Sequence, residues 1–190
     1  RQTGTLAADE GIFPTTAEGL AKLKPVKPNG THTFGTQTHP ADGNAGMIVT
    51  TRELARALST DSAIEVELLG FGQARVEKGY MPLAPAPAAQ VALKQAGLTI
   101  KDVDAVKTHN PFAANDIAFA RDTGFPLEKM NNYGCSLIWG HPQGPTGLRS
   151  VIELIEELAL RGGGTGLFTG CAAGDSGMAL VLRVREAARK

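Results

Sequence analysis

Three side chains able to move protons stand at corners of this sequence: His109 in KTHNPFAAND, His141 in NNYGCSLIWGHPQGPTG and Cys171 in FTGCAAGDSG. An imidazole titrates near pH 6.5 and a thiol near 8.5, so both types can take and return protons around neutrality. His141 is locked between Gly140 and Pro142, just ahead of a strongly helical stretch whose first N–H groups favour negative charge. His109 falls where a strand is expected to end and a helix to begin. Cys171 follows the apolar GLFTG, and the small residues of AAGDSG let backbone amides approach a ligand closely. Singly these are weak signals. A lone cysteine is usually a small buried hydrophobe, a lone histidine usually a satisfied structural group, and Gly-His-Pro by itself a turn. Together they describe a site assembled from loops on a rigid scaffold. Cys135, in an apolar stretch, is assigned a structural role.

The elements that would position these corners alternate. GMIVT reads as a short buried strand, and TRELARALS as a helix capped by Thr50 or Thr51. AIEVELLGFGQ begins a β segment. APAPAAQVALKQAG is a helix entered through prolines and left at Gly97. DVDAVKTH is a strand ending at His109, and FAANDIAFARDTG a helix ending at Gly124. In GPTGLRSVIELIEELALRGGG, Leu148, Val151, Ile152, Ile155, Leu158 and Ala159 recur at helical spacing opposite Glu153, Glu156 and Glu157. TGLFTG and GMALVLRV close the chain as strands. The alternation predicts a layered α/β domain over 63–190, preceded by an extended, loop-like segment over 1–41.

Composition excludes several classes. The chain has 190 residues, with 19 basic and 19 acidic side chains and no block of like charge. Electrostatic capture of nucleic acid is not indicated. The three lysines of LAKLKPVKPNG read as a solvated loop. Two cysteines make neither a disulfide framework nor zinc spacing, so no metal is expected and a reduced, cytoplasmic setting fits. No run reaches the roughly 18 apolar residues of a membrane span.

Taken jointly, the motifs resemble those of the thiolase family. NNYGCSLIWGHPQGPTG is similar to the family's Gly-His-Pro-x-Gly segment, FTGCAAGDSGMALVLRV to its closing segment, and KTHNPFAAND to its Asn-Glu-Ala-Phe or His-Glu-Ala-Phe motif. THPADGNAGMIVTT resembles the segment Ser-Gly-x-Asn-Asp-Gly-Ala. The order and spacing match, and the resemblance covers essentially the whole chain.

The resemblance implies a thiolase-like α/β/α layered fold, a mixed sheet covered by helices with an N-terminal extended loop segment. It divides the chain into the tail of the loop region (1–41), the last strand and helix of an N-terminal domain (42–62) and a C-terminal domain (63–190). It implies acyl transfer to or from coenzyme A, by Claisen condensation or thiolytic cleavage of 3-ketoacyl-CoA. The substrates are coenzyme A thioesters and no cofactor is needed.

His141 would activate a nucleophilic cysteine, and Cys171 would move the α-proton, its thiol pKa lowered by nearby dipoles. His109 and His141 would contribute to one oxyanion hole, and the N–H groups at Ala173 and Gly174 to a second. Thr38 and Phe112 would contact coenzyme A.

The family's nucleophile lies in an N-terminal half with no counterpart here. The expected partner is therefore that half, with acyl-CoA and coenzyme A, in a homodimer or tetramer of the complete enzyme. The chain is expected to be a piece of a larger enzyme, with an apolar face exposed where the rest packs. Asn110, Pro111 and the Ala172-Ala173 pair depart from the family pattern, and Trp139 and Gln143 are bulkier or more polar than expected there. These changes suggest a divergent, sterol-carrier-like thiolase. The alternative is a non-catalytic thiolase-like scaffold that binds acyl-CoA. A ketoacyl synthase relative shares the fold, but the Cys171 corner argues against it.

Overall fold

The computed structural model describes residues 4, 5, 7–9 and 11–186. The remaining positions of the expected 1–41 and 63–190 segments lie outside the described residues. Two short helices come first. In α1 (Ala17–Ala21) the Thr16 side chain accepts from Gly19 N, and in α2 (Arg52–Leu58) the Thr51 side chain accepts from Leu54 N. Each hydroxyl satisfies one of the N–H groups a helix start leaves open. Then follow β1 (Ile64–Arg75), α3 (Pro85–Ala96), β2 (Ala105–His109), α4 (Ala113–Thr123), α5 (Ser136–Trp139), α6 (Thr146–Leu160), β3 (Gly163–Ala172) and β4 (Ser176–Glu186). Helix α3 ends at Gly97 and α4 at Gly124, both left-handed, at φ 68° and 76°. A side chain would be strained there, which is why glycine marks both ends.

The strands form one mixed sheet in the order β1-β4-β3-β2. β4 runs antiparallel to β1 and to β3, while β2 lies parallel to β3. The crossover to a parallel strand needs a helix, and α6 provides it on the way from β2 to β3. Side chains alternate across the sheet. Val106, Leu167, Ala179 and Val181 face α3 and α4, packing with Ala88, Ala89, Ala92, Leu93 and Phe119. Ala105, Phe168, Leu182 and Val184 face α6, packing with Val151, Leu154 and Leu158. The architecture is the expected α/β/α layering. Gly72 permits the α3 contact, since a Cβ there would lie 2.3 Å from Ala88 O.

GMIVT departs from expectation. Residues 46–50 form no strand, and Ile48 and Val49 are 75% and 68% exposed. An apolar run becomes a strand only when a neighbour takes its backbone groups, and none of the four described strands lies beside it. Val66, Leu68, Phe71 and Met178 are also exposed. The pairing of Val66 with Val184, Leu68 with Leu182 and Phe71 with Leu180 puts them on the α6 side, beyond that helix's cover.

Candidate active site

His109 is the last residue of β2, and burial leaves it 8% exposed. Its Nδ1 lies 2.7 Å from the hydroxyl of Ser136, the first residue of α5. The short α5 is bracketed by Gly134 and Gly140, at φ 94° and 82°. A Cβ on Gly140 would also come within 2.6 Å of Ala41 Cβ. Glycine is thus required immediately before His141, which explains half of its rigid frame. Downstream, His141 Nδ1 lies 2.9 Å from Thr146 Oγ1, at the first residue of α6.

The extended segment around Thr38 is stitched across both corners. His141 N–H donates to His39 O at 2.8 Å, and Thr38 N–H to Pro111 O at 2.8 Å. The Thr38 hydroxyl donates to Ser136 O. Its expected place near coenzyme A thus coincides with an internal bond that holds α5. Phe112 is partly exposed, edge-on to His32 with ring centres 6.0 Å apart, and its N–H donates to Asn115 Oδ1 at 3.1 Å.

These constraints bring the two imidazoles together. Their ring centres are 4.3 Å apart and the planes 31° from parallel. His109 is lowered to about pH 4, first by burial, then by the positive charge of His141 and Arg149. His141 is also lowered, by burial and then by Arg149. Burial disfavours the charged form of any histidine, so both rings rest neutral near pH 7.

Cys171 stands at the same end of the sheet. It is one residue beyond Gly170, the partner of His109 across β2 and β3. Strand alternation turns its side chain to the opposite, α4 face. There Asn115 Nδ2 lies 3.4 Å from its Sγ. Burial pushes the thiol above its ordinary value, against the hydrogen bonds from Asn115 and its own backbone. The lowering expected from nearby dipoles is outweighed, because the thiol is removed from water. The structure therefore puts His109 and His141 in ring contact and holds Cys171 on the adjacent strand. Ala173 and Gly174 are exposed in the β3–β4 turn. Arg75 Nε donates to Gly174 O at 3.0 Å, and Gly79 N–H to Asp175 Oδ1 at 3.1 Å.

Asn110 was singled out in the sequence as a departure, whereas Asp116, Thr108, Asn131 and Lys107 were not. Asn110, 1% exposed, donates to Asp116, which also accepts from Thr108 and Asn131. Asn110 Oδ1 has no partner among the described residues. Burial raises the Asp116 carboxyl, and those three hydrogen bonds oppose it. Lys107, on the α6 side of β2, donates to Gly134 O at 2.7 Å and pairs with Glu153. These buried polar contacts tie β2 to the loop that carries Ser136. Among the described residues no group of three or more His, Cys, Asp or Glu is arranged to hold a metal, and no helix is long and apolar enough to cross a membrane.

Comparison with known proteins places the sequence and the fold. The family model described as "Thiolase, C-terminal domain" matches residues 62–184. The acetyl-CoA acetyltransferase of Syntrophomonas wolfei is 37% identical over 177 residues, covering 92% of this chain and 44% of that protein. The peroxisomal 3-ketoacyl-CoA thiolase B of Rattus norvegicus is 38% identical over 164 residues, covering 85% and 38%. Among solved structures, the Bacillus anthracis acetyl-CoA acetyltransferase superimposes with a TM-score of 0.83 at 32% identity, covering 89% of this chain and 43% of that one. Human mitochondrial 3-ketoacyl-CoA thiolase gives 0.82 at 30% identity, covering 95% and 45%. The chain spans less than half the length of these relatives. It belongs to the thiolase family.

Proposed function

We propose that this chain supplies part of the active site of an enzyme that transfers acyl groups to or from coenzyme A, by Claisen condensation or thiolytic cleavage of a 3-ketoacyl-CoA. The observation that carries the reading is the neutral His109–His141 ring pair, each ring braced by a buried hydroxyl, at the sheet end shared with Cys171. The nucleophilic cysteine would come from an N-terminal half of the enzyme, outside these residues.

His141, kept neutral, takes that thiol's proton. Its Nδ1 is engaged by Thr146 Oγ1, so Nε2 is the nitrogen left to do so. The thiolate attacks the substrate carbonyl. His141, now protonated, and His109 stabilise the oxygen as it gains charge. In cleavage, the bond between the α- and β-carbons breaks and the acyl group stays on the nucleophile. Cys171 gives its proton to the α-carbon of the departing enolate, and incoming coenzyme A restores that proton as it takes the acyl group. A thiol raised by burial rests protonated, which suits this first step. The N–H groups of Ala173 and Gly174 would serve the second oxyanion hole, and Thr38 and Phe112 the coenzyme A arm. Pro111 after Asn110, and alanine at 172 and 173, fit a divergent, sterol-carrier-like member.

In this reading residues 1–41 end the loop region, 42–62 end the N-terminal domain and 63–190 form the C-terminal domain. The exposed Ile48, Val49, Leu68 and Phe71 support a covering N-terminal half. No cofactor acts beside the thioester substrates. The complete enzyme would be a cytoplasmic homodimer or tetramer, a setting that the two free cysteines suit.

The test is thiolysis by the full-length protein carrying this chain, given a 3-ketoacyl-CoA and free coenzyme A. Turnover is expected, with a loss of at least about 100-fold in His141→Asn. Binding of acyl-CoA without turnover would replace this reading with that of a scaffold.

A further inference from the structure

We propose that Ser136 is a positioning residue, whose hydroxyl donates to His109 Nδ1 and thereby selects the tautomer of His109 with its proton on Nε2. This rests on the acyl-transfer reading for its purpose, though not for its geometry.

A neutral imidazole has a single N–H. If that hydrogen were on Nδ1, the outward nitrogen of His109 could accept but not donate, and the ring would add nothing at a developing oxyanion. Burial keeps His109 neutral well below pH 7, so protonation does not rescue donation from the wrong tautomer. The choice of tautomer therefore decides the role.

The surroundings of Ser136 favour one choice. The residue is 1% exposed, and its hydroxyl bonds to His109 Nδ1 alone among the described residues, over 2.7 Å. If Nδ1–H were the donor, the Ser136 hydroxyl hydrogen would be buried with no acceptor. If the hydroxyl donates, only oxygen lone pairs stay idle. An orphaned buried donor costs more than an under-used acceptor. The donor arrangement is also held from behind, because Thr38 Oγ1 donates to Ser136 O and Lys107 Nζ to Gly134 O. Those bonds fix α5, and with it the hydroxyl, against the end of β2.

The experiment uses the full-length protein carrying this chain, labelled with nitrogen-15 at histidine. His109 signals are assigned by their loss in His109→Gln. In the native protein Nε2 is expected to carry the hydrogen and Nδ1 to read as a bare, hydrogen-bonded nitrogen. Ser136→Ala should shift both nitrogens toward averaged values, as the two tautomers interchange, and Ser136→Thr should restore them. A native spectrum with Nδ1 protonated overturns the assignment even if no variant folds. So does a folded Ser136→Ala with unchanged shifts. In the thiolysis assay Ser136→Ala should lower kcat about tenfold with KM within about twofold, the size of one lost hydrogen bond, with Thr recovering most of the rate. Averaged shifts with an unchanged kcat would overturn the catalytic use of the lock. A native protein inactive in thiolysis would overturn the acyl-transfer reading while leaving the spectrum to decide the tautomer.

Discussion

The rings of His109 and His141 lie 4.3 Å apart, 31° from parallel, in a setting that keeps His109 uncharged down to about pH 4. The unfolded chain takes up that proton near pH 6.5, so between about 6.5 and 4 the native state binds fewer protons than the unfolded one. Stability contributed at this site is thus intact above about pH 6.5 and is lost as pH falls. His109→Gln cannot titrate. Relative to the native protein it should gain stability on the order of 3 kcal/mol between pH 7 and pH 4. Urea unfolding at both values checks this, and parallel curves for the two proteins would contradict it.

Thr146 braces His141 through one hydrogen bond. Thr146→Val keeps the shape and removes the hydroxyl, so turnover should fall about tenfold with little change in KM. Thr146→Ser should recover most of the loss. Steady-state kinetics on the two variants separates a lost bond from a lost methyl group.

Gly72 lies against α3, where an added Cβ would approach Ala88 O to 2.3 Å and Ala92 N to 2.6 Å. Both are backbone atoms and cannot swing aside. Gly72→Ala should cost about 3 kcal/mol. For a chain of this size that lowers the melting temperature by about 10 °C. An unchanged melt would show that α3 has room to move.

Val66, Leu68, Phe71 and Met178 share a face of the sheet that α6 leaves bare. Contiguous exposed apolar surface drives association. The chain expressed alone should therefore self-associate, and Leu68→Lys with Phe71→Lys should shift it toward monomer in light scattering. A native monomer would count against an apolar contact at this face.

Much of the fold was legible because local chemistry sets it. Gly97 and Gly124 mark helix ends through their left-handed backbone, and the spacing of Val151, Leu158 and their neighbours marks α6. The corners carrying His109 and His141 were legible for the same reason. GMIVT was misread because an apolar run records only a preference for burial, whereas a strand needs a partner. Ser136, Thr146 and Asn115 escaped notice because their importance comes from what they touch. Each meets its target only after strands and helices distant in sequence have packed. The raised thiol of Cys171 was hidden likewise, since burial is a property of the fold and the turn residues suggested the opposite.

The most direct test of acyl transfer separates the two proton-moving steps. In the full-length protein, Cys171→Ser should abolish deuterium exchange at the α-carbon of acyl-CoA while leaving acylation of the nucleophile measurable by mass spectrometry. Exchange at the native rate in Cys171→Ser would remove Cys171 from the reaction and, with it, the mechanism assigned to this sheet end.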